Sequence, residues 1–330
     1  MSVQVAAVER HVFVPEEERP AARKETFRQL VSRLSHQSVV KHFDAYADIA
    51  WDAEEFRIDP LDPRWELAAD DVLGGSAWYR AQPLAVRARL GLHLVAHFMK
   101  IGLQFEGVLK RGLLAFAASL PNRSPEFRYV YHEIIEEAQH ALMFQEFVNR
   151  SGFDLRGLTG VHRFLAGRVP RLATVFPELF FVFVLGGEDP IDHVQRRALR
   201  RDQPVHPLLR RIMQIHVTEE ARHLCFARHY LKEHVPHLGR ARRAALAVGA
   251  PVVLSVMARL MMRPSPAIIR AYRIPRRVID EVYVRNPRHR ADTLEALDKV
   301  RTLASELGLI TPRTRRLWQA LGSWAGHPSS

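Results

Sequence analysis

Cysteine is almost missing from these 330 residues: Cys225 stands alone. A single cysteine excludes an intramolecular disulfide framework and any cysteine-built zinc or iron–sulfur site, and it suits a reducing, cytoplasmic setting. Also missing is the apolar/polar alternation that a half-buried strand requires. Gly186-Gly187 opens no helix of the dinucleotide-binding pattern, so the chain offers no flavin or nicotinamide cradle. Near the N-terminus no positive stretch leads into a long apolar one, and a secretion signal is not expected. Long apolar runs are scarce too. Leu179–Gly187 falls far short of the roughly 20 residues a bilayer requires. Ala244–Ala258 is uncharged for 15 residues but is interrupted by Pro251. Both are expected to be buried core helices, and no membrane span is expected.

What is present suits a packed helical protein. Apolar residues at 47% and charged residues at 25% can build a sizeable core. Charge is unevenly spread. Residues 1–195 carry 22 basic and 26 acidic side chains, whereas residues 196–330 carry 26 basic and 10 acidic. Of the 48 basic residues 42 are arginine, often in pairs such as Arg196–Arg197 and Arg242–Arg243. Aromatic residues do not interleave with them as a base-stacking platform needs, and no nucleic-acid motif occurs. The expected role is a solvated arginine surface paired with acids elsewhere, with no nucleic-acid partner.

Helical periodicity runs near 21–46, 83–119, 125–150, 171–188, 206–234, 237–262, 275–285, 289–307 and 311–322. Proline and glycine punctuate it at Asp59-Pro60-Leu61-Asp62-Pro63, Pro121-Asn122, Gly152, Pro170, Pro204, Pro236 and Pro264. Asp189-Pro190 predicts a helix end or kink. No low-complexity linker divides the chain. A single all-α domain over 1–330 is expected, with an irregular wrap at 1–84, a core at about 85–235 and flanking helices at 236–330.

Two Glu-x-x-His motifs stand out, Glu137-Ala138-Gln139-His140 and Glu220-Ala221-Arg222-His223. A three-residue step puts both side chains of each pair on one helix face, where they can grip one metal ion. With 22 Glu and 17 His, about one such pair arises by chance, so either motif alone says little. A second layer of spacing changes this. Glu106 lies 31 residues before Glu137, and Glu188 lies 32 before Glu220, each in the preceding helix. The chain thus reads as two helical hairpins, each with Glu on one arm and Glu-x-x-His on the other. Ferritin-like four-helix bundles hold two metal ions with this set.

Burial strengthens the reading. Glu137 interrupts the stripe Val130, Ile134, Ala141, Phe144, and Glu220 interrupts Met213, Val217, Leu224, Ala227. Glu106 and Glu188 likewise stand where a core-facing apolar residue belongs. Isolated carboxylates there would cost several kcal/mol each or lose their charge. Two divalent cations would neutralise all four. His216, four residues before Glu220 and on the same face, is either a further ligand or a hydrogen-bonded core histidine. At the matching place in the first half stands Glu133. Such a carboxylate-rich set suits iron, with manganese as the alternative.

These motifs, with His-x3-Glu-x2-His in the second half, resemble the non-haem di-iron N-oxygenases typified by para-aminobenzoate N-oxygenase, over about 85–235. The resemblance implies a ferritin-like four-helix di-iron bundle with additional flanking helices. It implies iron ligands Glu106, Glu137, His140, Glu188, His216, Glu220 and His223, and O2 as co-substrate. Its members oxygenate aryl amines, so the implied substrate is a small amine converted to a hydroxylamine or nitro product. A ferredoxin, reductase or small reductant would supply electrons, and the protein would be a homodimer. Alternatives are a di-iron hydroxylase or desaturase acting on C–H bonds and a non-catalytic iron-handling protein. Lys100 is a candidate anchor for an aryl carboxylate. Phe98, Phe105, Phe144, Phe180, Phe181 and Phe183 could line an aromatic pocket or simply fill the core.

Overall fold

A computed structural model describes residues 25–202 and 204–324. The first residues of the expected 21–46 helix and of the wrap lie outside that range. All regular structure among the described residues is helical. Nine helices of nine or more residues occur there: α1 (Phe27–Val40), α2 (Leu84–Ser119), α3 (Pro125–Ser151), α4 (Pro177–Leu199), α5 (Pro207–His234), α6 (Arg240–Met261), α7 (Pro287–Ala296), α8 (Asp298–Glu306) and α9 (Pro312–Ala320). α2 to α5 make the ferritin-like bundle.

Local chemistry sets the boundaries. α3, α4, α5, α7 and α9 begin with proline in the first turn, where its missing N–H is no loss. Thr26 and Gln29 cap α1 reciprocally, and α3 stops at Gly152, which takes a left-handed φ of 72°. α1 ends at Val40, six residues short of the expected 46. From there an aspartate-rich chain turns repeatedly, with Asp44, Asp59, Asp62 and Asp71 each accepting backbone N–H groups.

Of the helix end or kink expected at Asp189-Pro190, the end is not found: α4 runs on through Pro190 to Leu199. The ring of a mid-helix proline presses on the carbonyl four residues earlier, which here belongs to Gly186. With no side chains at Gly186 and Gly187, the backbone there is free to adjust. Further along, the single helix expected at 289–307 is split at the buried Leu297 into α7 and α8. The one at 275–285 is a turn of α-helix followed by a π-helical turn at Asp280–Arg285.

Packing between the hairpins is close. A Cβ on Gly187 of α4 would lie 2.2 Å from the Phe105 ring of α2, and one on Gly112 of α2 would lie 2.3 Å from the Phe180 ring of α4. The contacts run in opposite directions along the two helices, so α2 and α4 cross antiparallel. Leu179–Gly187 is core, as expected. α6 is buried on one face only: Leu246, Ala250, Leu254 and Met257 point inward, whereas Val248, Val252 and Val256 are exposed. The stretch Arg240–Ala271 is long and apolar enough to cross a membrane by length and composition, and half of its most apolar window is buried. Arginines of the basic half meet acids as expected, among them Arg196 with Asp192, Arg197 with Asp70 and Asp292, and Arg242 with Glu178.

Candidate metal centre

All seven side chains singled out above converge inside the bundle, none more than 2% exposed: Glu106 from α2, Glu137 and His140 from α3, Glu188 from α4, and His216, Glu220 and His223 from α5. Glu137 and Glu220 occupy the middle. His140 Nδ1 lies 3.1 Å from Glu137 Oε2 and 3.4 Å from Glu220 Oε1. His223 Nδ1 lies 3.0 Å from Glu137 Oε1 and 3.1 Å from Glu220 Oε1. His216 Nε2 is 3.8 Å from Glu220 and 4.0 Å from Glu188. Donor atoms of Glu106, His140 and His216, of Glu188, His216 and Glu220, and of Glu106, Glu137 and Glu188 each fall within 4.8 Å of one another.

The outer nitrogens of both inner histidines are spoken for. His140 Nε2–H donates to Glu219 Oε2 at 2.9 Å, and His223 Nε2–H donates to Glu136 Oε2 at 2.7 Å. Each bond crosses to the facing helix. With a cation bound, a proton held at Nε2 would leave the Nδ1 lone pair aimed at the centre, the orientation that a histidine–carboxylate pair gives a metal ligand. The outer carboxylates are themselves held: Arg222 donates to Glu136 at 2.8 Å, and the Phe43 backbone N–H donates to Glu219 at 3.0 Å. Gln139 accepts the Ala45 N–H at 2.9 Å, so the wrap clamps both motif helices. Lys110 ties α2 to the Glu137 carbonyl at 2.8 Å.

Glu136 and Glu219 were missed in the sequence, although the doubled acid Glu136-Glu137 and Glu219-Glu220 marks both motifs. Glu133 is a third acid given no role there. It is 1% exposed, and its oxygens lie within 4.8 Å of Glu137 and His223 donor atoms.

Crowded acids perturb one another. Burial first, then the Glu137 charge, pushes the Glu106 carboxyl well above the usual carboxylate range. Burial and then Glu220 do the same to Glu188. Burial pushes Glu133 up to about 8. For His140 burial works against the charge, but hydrogen bonds with Glu137 and Glu219 outweigh it and raise the imidazole to about 9. His216 goes the other way, held well below the ordinary imidazole value by burial and by His140.

Comparison with known proteins bears on this arrangement directly. Residues 24–308 match the family P-aminobenzoate N-oxygenase AurF. The chain belongs to this family. An uncharacterized protein of Mycobacterium tuberculosis strain CDC 1551 is 40% identical over 291 residues, which cover 88% of this chain and 86% of the relative. An uncharacterized protein of Mycobacterium bovis is 39% identical over the same length, with the same coverage.

The family is one of di-iron enzymes, and the residues present fit such a pair. Glu106 Oε2, Glu220 Oε2, both oxygens of Glu133 and His216 Nδ1 are buried with no hydrogen-bond partner among the described residues. Each unmet buried group costs about 1–3 kcal/mol. Oxygen-rich donors with three imidazoles are the chemistry iron and manganese accept. Among the described residues no arginine pairs with the inner acids Glu106, Glu137, Glu188 or Glu220. The buried Arg222 instead serves Glu136 and, at 3.6 Å, Glu219.

Beside the centre lies a cavity of about 290 Å³. Glu106, Glu188 and His216 line it together with Val95, Phe98, Met99, Phe105, Phe144 and Met213. It reaches Arg64 and Val194, which are exposed. Of the six phenylalanines weighed above, Phe98, Phe105 and Phe144 line it, whereas Phe180, Phe181 and Phe183 belong to the core. Lys100 does not line it and instead donates to Gln145 at 3.0 Å. Six residues on a helix turn it about 120° from Glu106, so it faces elsewhere.

Proposed function

We propose that this protein is an O2-dependent di-iron monooxygenase that oxygenates the nitrogen of an aryl amine. One observation carries the reading: a largely apolar cavity is lined by Glu106, Glu188 and His216 of the acid–histidine cluster, where a small molecule can meet it. In this reading Glu106, Glu137, His140, Glu188, His216, Glu220 and His223 would together hold the iron pair. A ferrous pair bound there supplies the electrons and open coordination positions for O2 reduction. The chain's own groups do the rest. Glu219 and Glu136 hold the Nε2 protons of His140 and His223 and so keep Nδ1 free. Phe105, Phe144, Met99 and Met213 exclude water and orient an aromatic ring. His216 adds a nitrogen donor on the cavity side.

The same proposal places the enzyme in the cytoplasm as a homodimer with one domain per chain, fed by a ferredoxin, a reductase or a small reductant. The test is metal and product analysis. Purified protein should carry about two irons per chain and, with reductant, O2 and para-substituted anilines, should form hydroxylamine or nitro products. Ring or alkyl hydroxylation would replace the reading with a C–H oxygenase. Many irons per chain without turnover would replace it with iron storage.

A further inference from the structure

The cavity wall carries a polar feature that the centre does not use. Most charged groups lining it away from the cluster are committed elsewhere. Arg64 binds Asp62 through Nε at 2.9 Å, and Glu66 takes Arg87 at 2.9 Å. Arg201 donates to Asp70 at 2.8 Å, and Asp71 accepts the Leu73 and Gly74 N–H groups at 2.8 and 2.9 Å. Two of the lining side chains carry a buried atom with no partner among the described residues: Gln195, whose Oε1 is an acceptor, and Arg201, whose Nε is a donor. Gln195 is only 8% exposed. It stands on α4 seven residues beyond Glu188. Seven residues are two turns, so the two share a helix face about 10 Å apart along the axis.

We propose that Gln195 is a specificity-determining residue, and that the cavity selects an amine whose apolar body ends in a neutral hydrogen-bonding group such as a hydroxyl. The inference rests on the proposed amine oxygenation. With the nitrogen at the Glu106, Glu188 and His216 end, a phenyl ring and a short arm span the apolar stretch. The far end then meets Gln195 and Arg201. A hydroxyl both donates and accepts, so it satisfies an orphan acceptor and an orphan donor alike. An alkyl end leaves both bare. A carboxylate can only accept; it leaves Gln195 Oε1 unmet and enters a wall that already holds the carboxylate of Asp71.

Three probes of similar size separate these cases: 2-(4-aminophenyl)ethanol, 4-propylaniline and 4-aminophenylacetic acid. Calorimetric titration of the iron-loaded protein without reductant reads binding while nothing turns over. The alcohol should bind about 10-fold or more tightly than either of the others. Gln195→Met keeps an unbranched side chain but removes the amide, and it should erase that preference while binding the alkyl probe at least as tightly. A melting temperature within a few degrees of wild type shows that the variant is folded. Equal affinities in the wild type, tightest binding by the acid, or a preference that survives Gln195→Met would each overturn the proposal. The wild-type series stands even if the variant does not fold. Adding reductant and O2 tests the amine reading separately: a bound alcohol probe that is never oxygenated defeats that reading and leaves the binding order intact.

Discussion

The two hairpins of the bundle, α2–α3 and α4–α5, present the same side chains at nearly every position of the centre and differ sharply at one. Glu106 answers to Glu188, Glu136 to Glu219, Glu137 to Glu220 and His140 to His223. Opposite His216, however, stands Glu133. The cavity touches His216 and does not touch Glu133. In the proposed reading the matched positions hold the two cations, and the unmatched one sets the side that lines the cavity apart from the side that does not. In that reading the His216 side is the one that meets a substrate.

The harshest way to break the equivalence is to remove a central acid from each half. Glu137→Ala and Glu220→Ala should each weaken metal binding beyond the 10–100-fold loss typical of an outer partner, because each carboxylate lies between both histidines. Iron analysis after gel filtration reads the loss. Retention of full iron by either variant would show that the carboxylate removed is not a ligand. Chelation of the wild type should lower its melting temperature, since a cation held only by the folded state stabilises it by mass action.

A gentler test concerns the outer pair. Glu136→Gln and Glu219→Gln should each cost about 10–100-fold in metal affinity by loosening the histidine they orient. Glu136→Gln should also lower stability by about 1–3 kcal/mol more than Glu219→Gln, because the buried Arg222 loses its 2.8 Å partner and keeps one at 3.6 Å. Thermal unfolding of the two metal-free variants measures that difference. Equal stabilities would mean that Arg222 gains nothing from Glu136.

How much of this could be read from the chain alone depends on the distance over which each signal acts. The helices, their proline starts and the inner ligand candidates are local patterns of three to seven residues, and they survive folding almost unchanged. Pro190 is an exception. Its tolerance in α4 depends on the small residues before it and on packing with α2 and α6. Lys100 failed because its candidacy rested on separation from Glu106 in sequence, whereas helical rotation decides where it faces. The clamp by Phe43 and Ala45 was hidden for another reason: backbone N–H groups leave no trace in residue identity. Glu136 and Glu219 were legible in principle, since an acid directly before each inner Glu repeats in both halves. An adjacent residue on a helix is turned 100° away, which suggests solvent until the facing helix is known to carry a histidine there.

Exchanging the unmatched pair sharpens the comparison. Glu133→His with His216→Glu moves the extra imidazole to the closed side while keeping the residue count of the centre. Iron content should remain near two per chain with affinity changed several-fold, while oxygenation of the amine falls about 10-fold or more. Mössbauer spectra of the two irons should exchange character. Unchanged turnover and spectra would return His216 to the ordinary core histidines.

The smallest effect belongs to a pair of matched positions that face away from the centre. Cys225 and Leu142 each lie two residues beyond the motif histidine, about 200° round the helix from it. Leu142 is 44% exposed; Cys225 is partly buried, with Sγ 3.6 Å from His229 Nδ1. Burial pushes the Cys225 thiol above its ordinary value, so it is mostly protonated near neutrality and poorly suited to ligation or redox exchange. Cys225→Ser and Leu142→Ala should therefore leave iron content and turnover unaltered and shift stability by no more than about 0.5 kcal/mol. The lone cysteine is the residue a chemist would first suspect of reactivity, which makes its silence informative. An inactive Cys225→Ser protein with normal iron would mean that electrons or substrate approach through α5 from its outer face, and the division into a reachable and a closed side would have to be redrawn around that route.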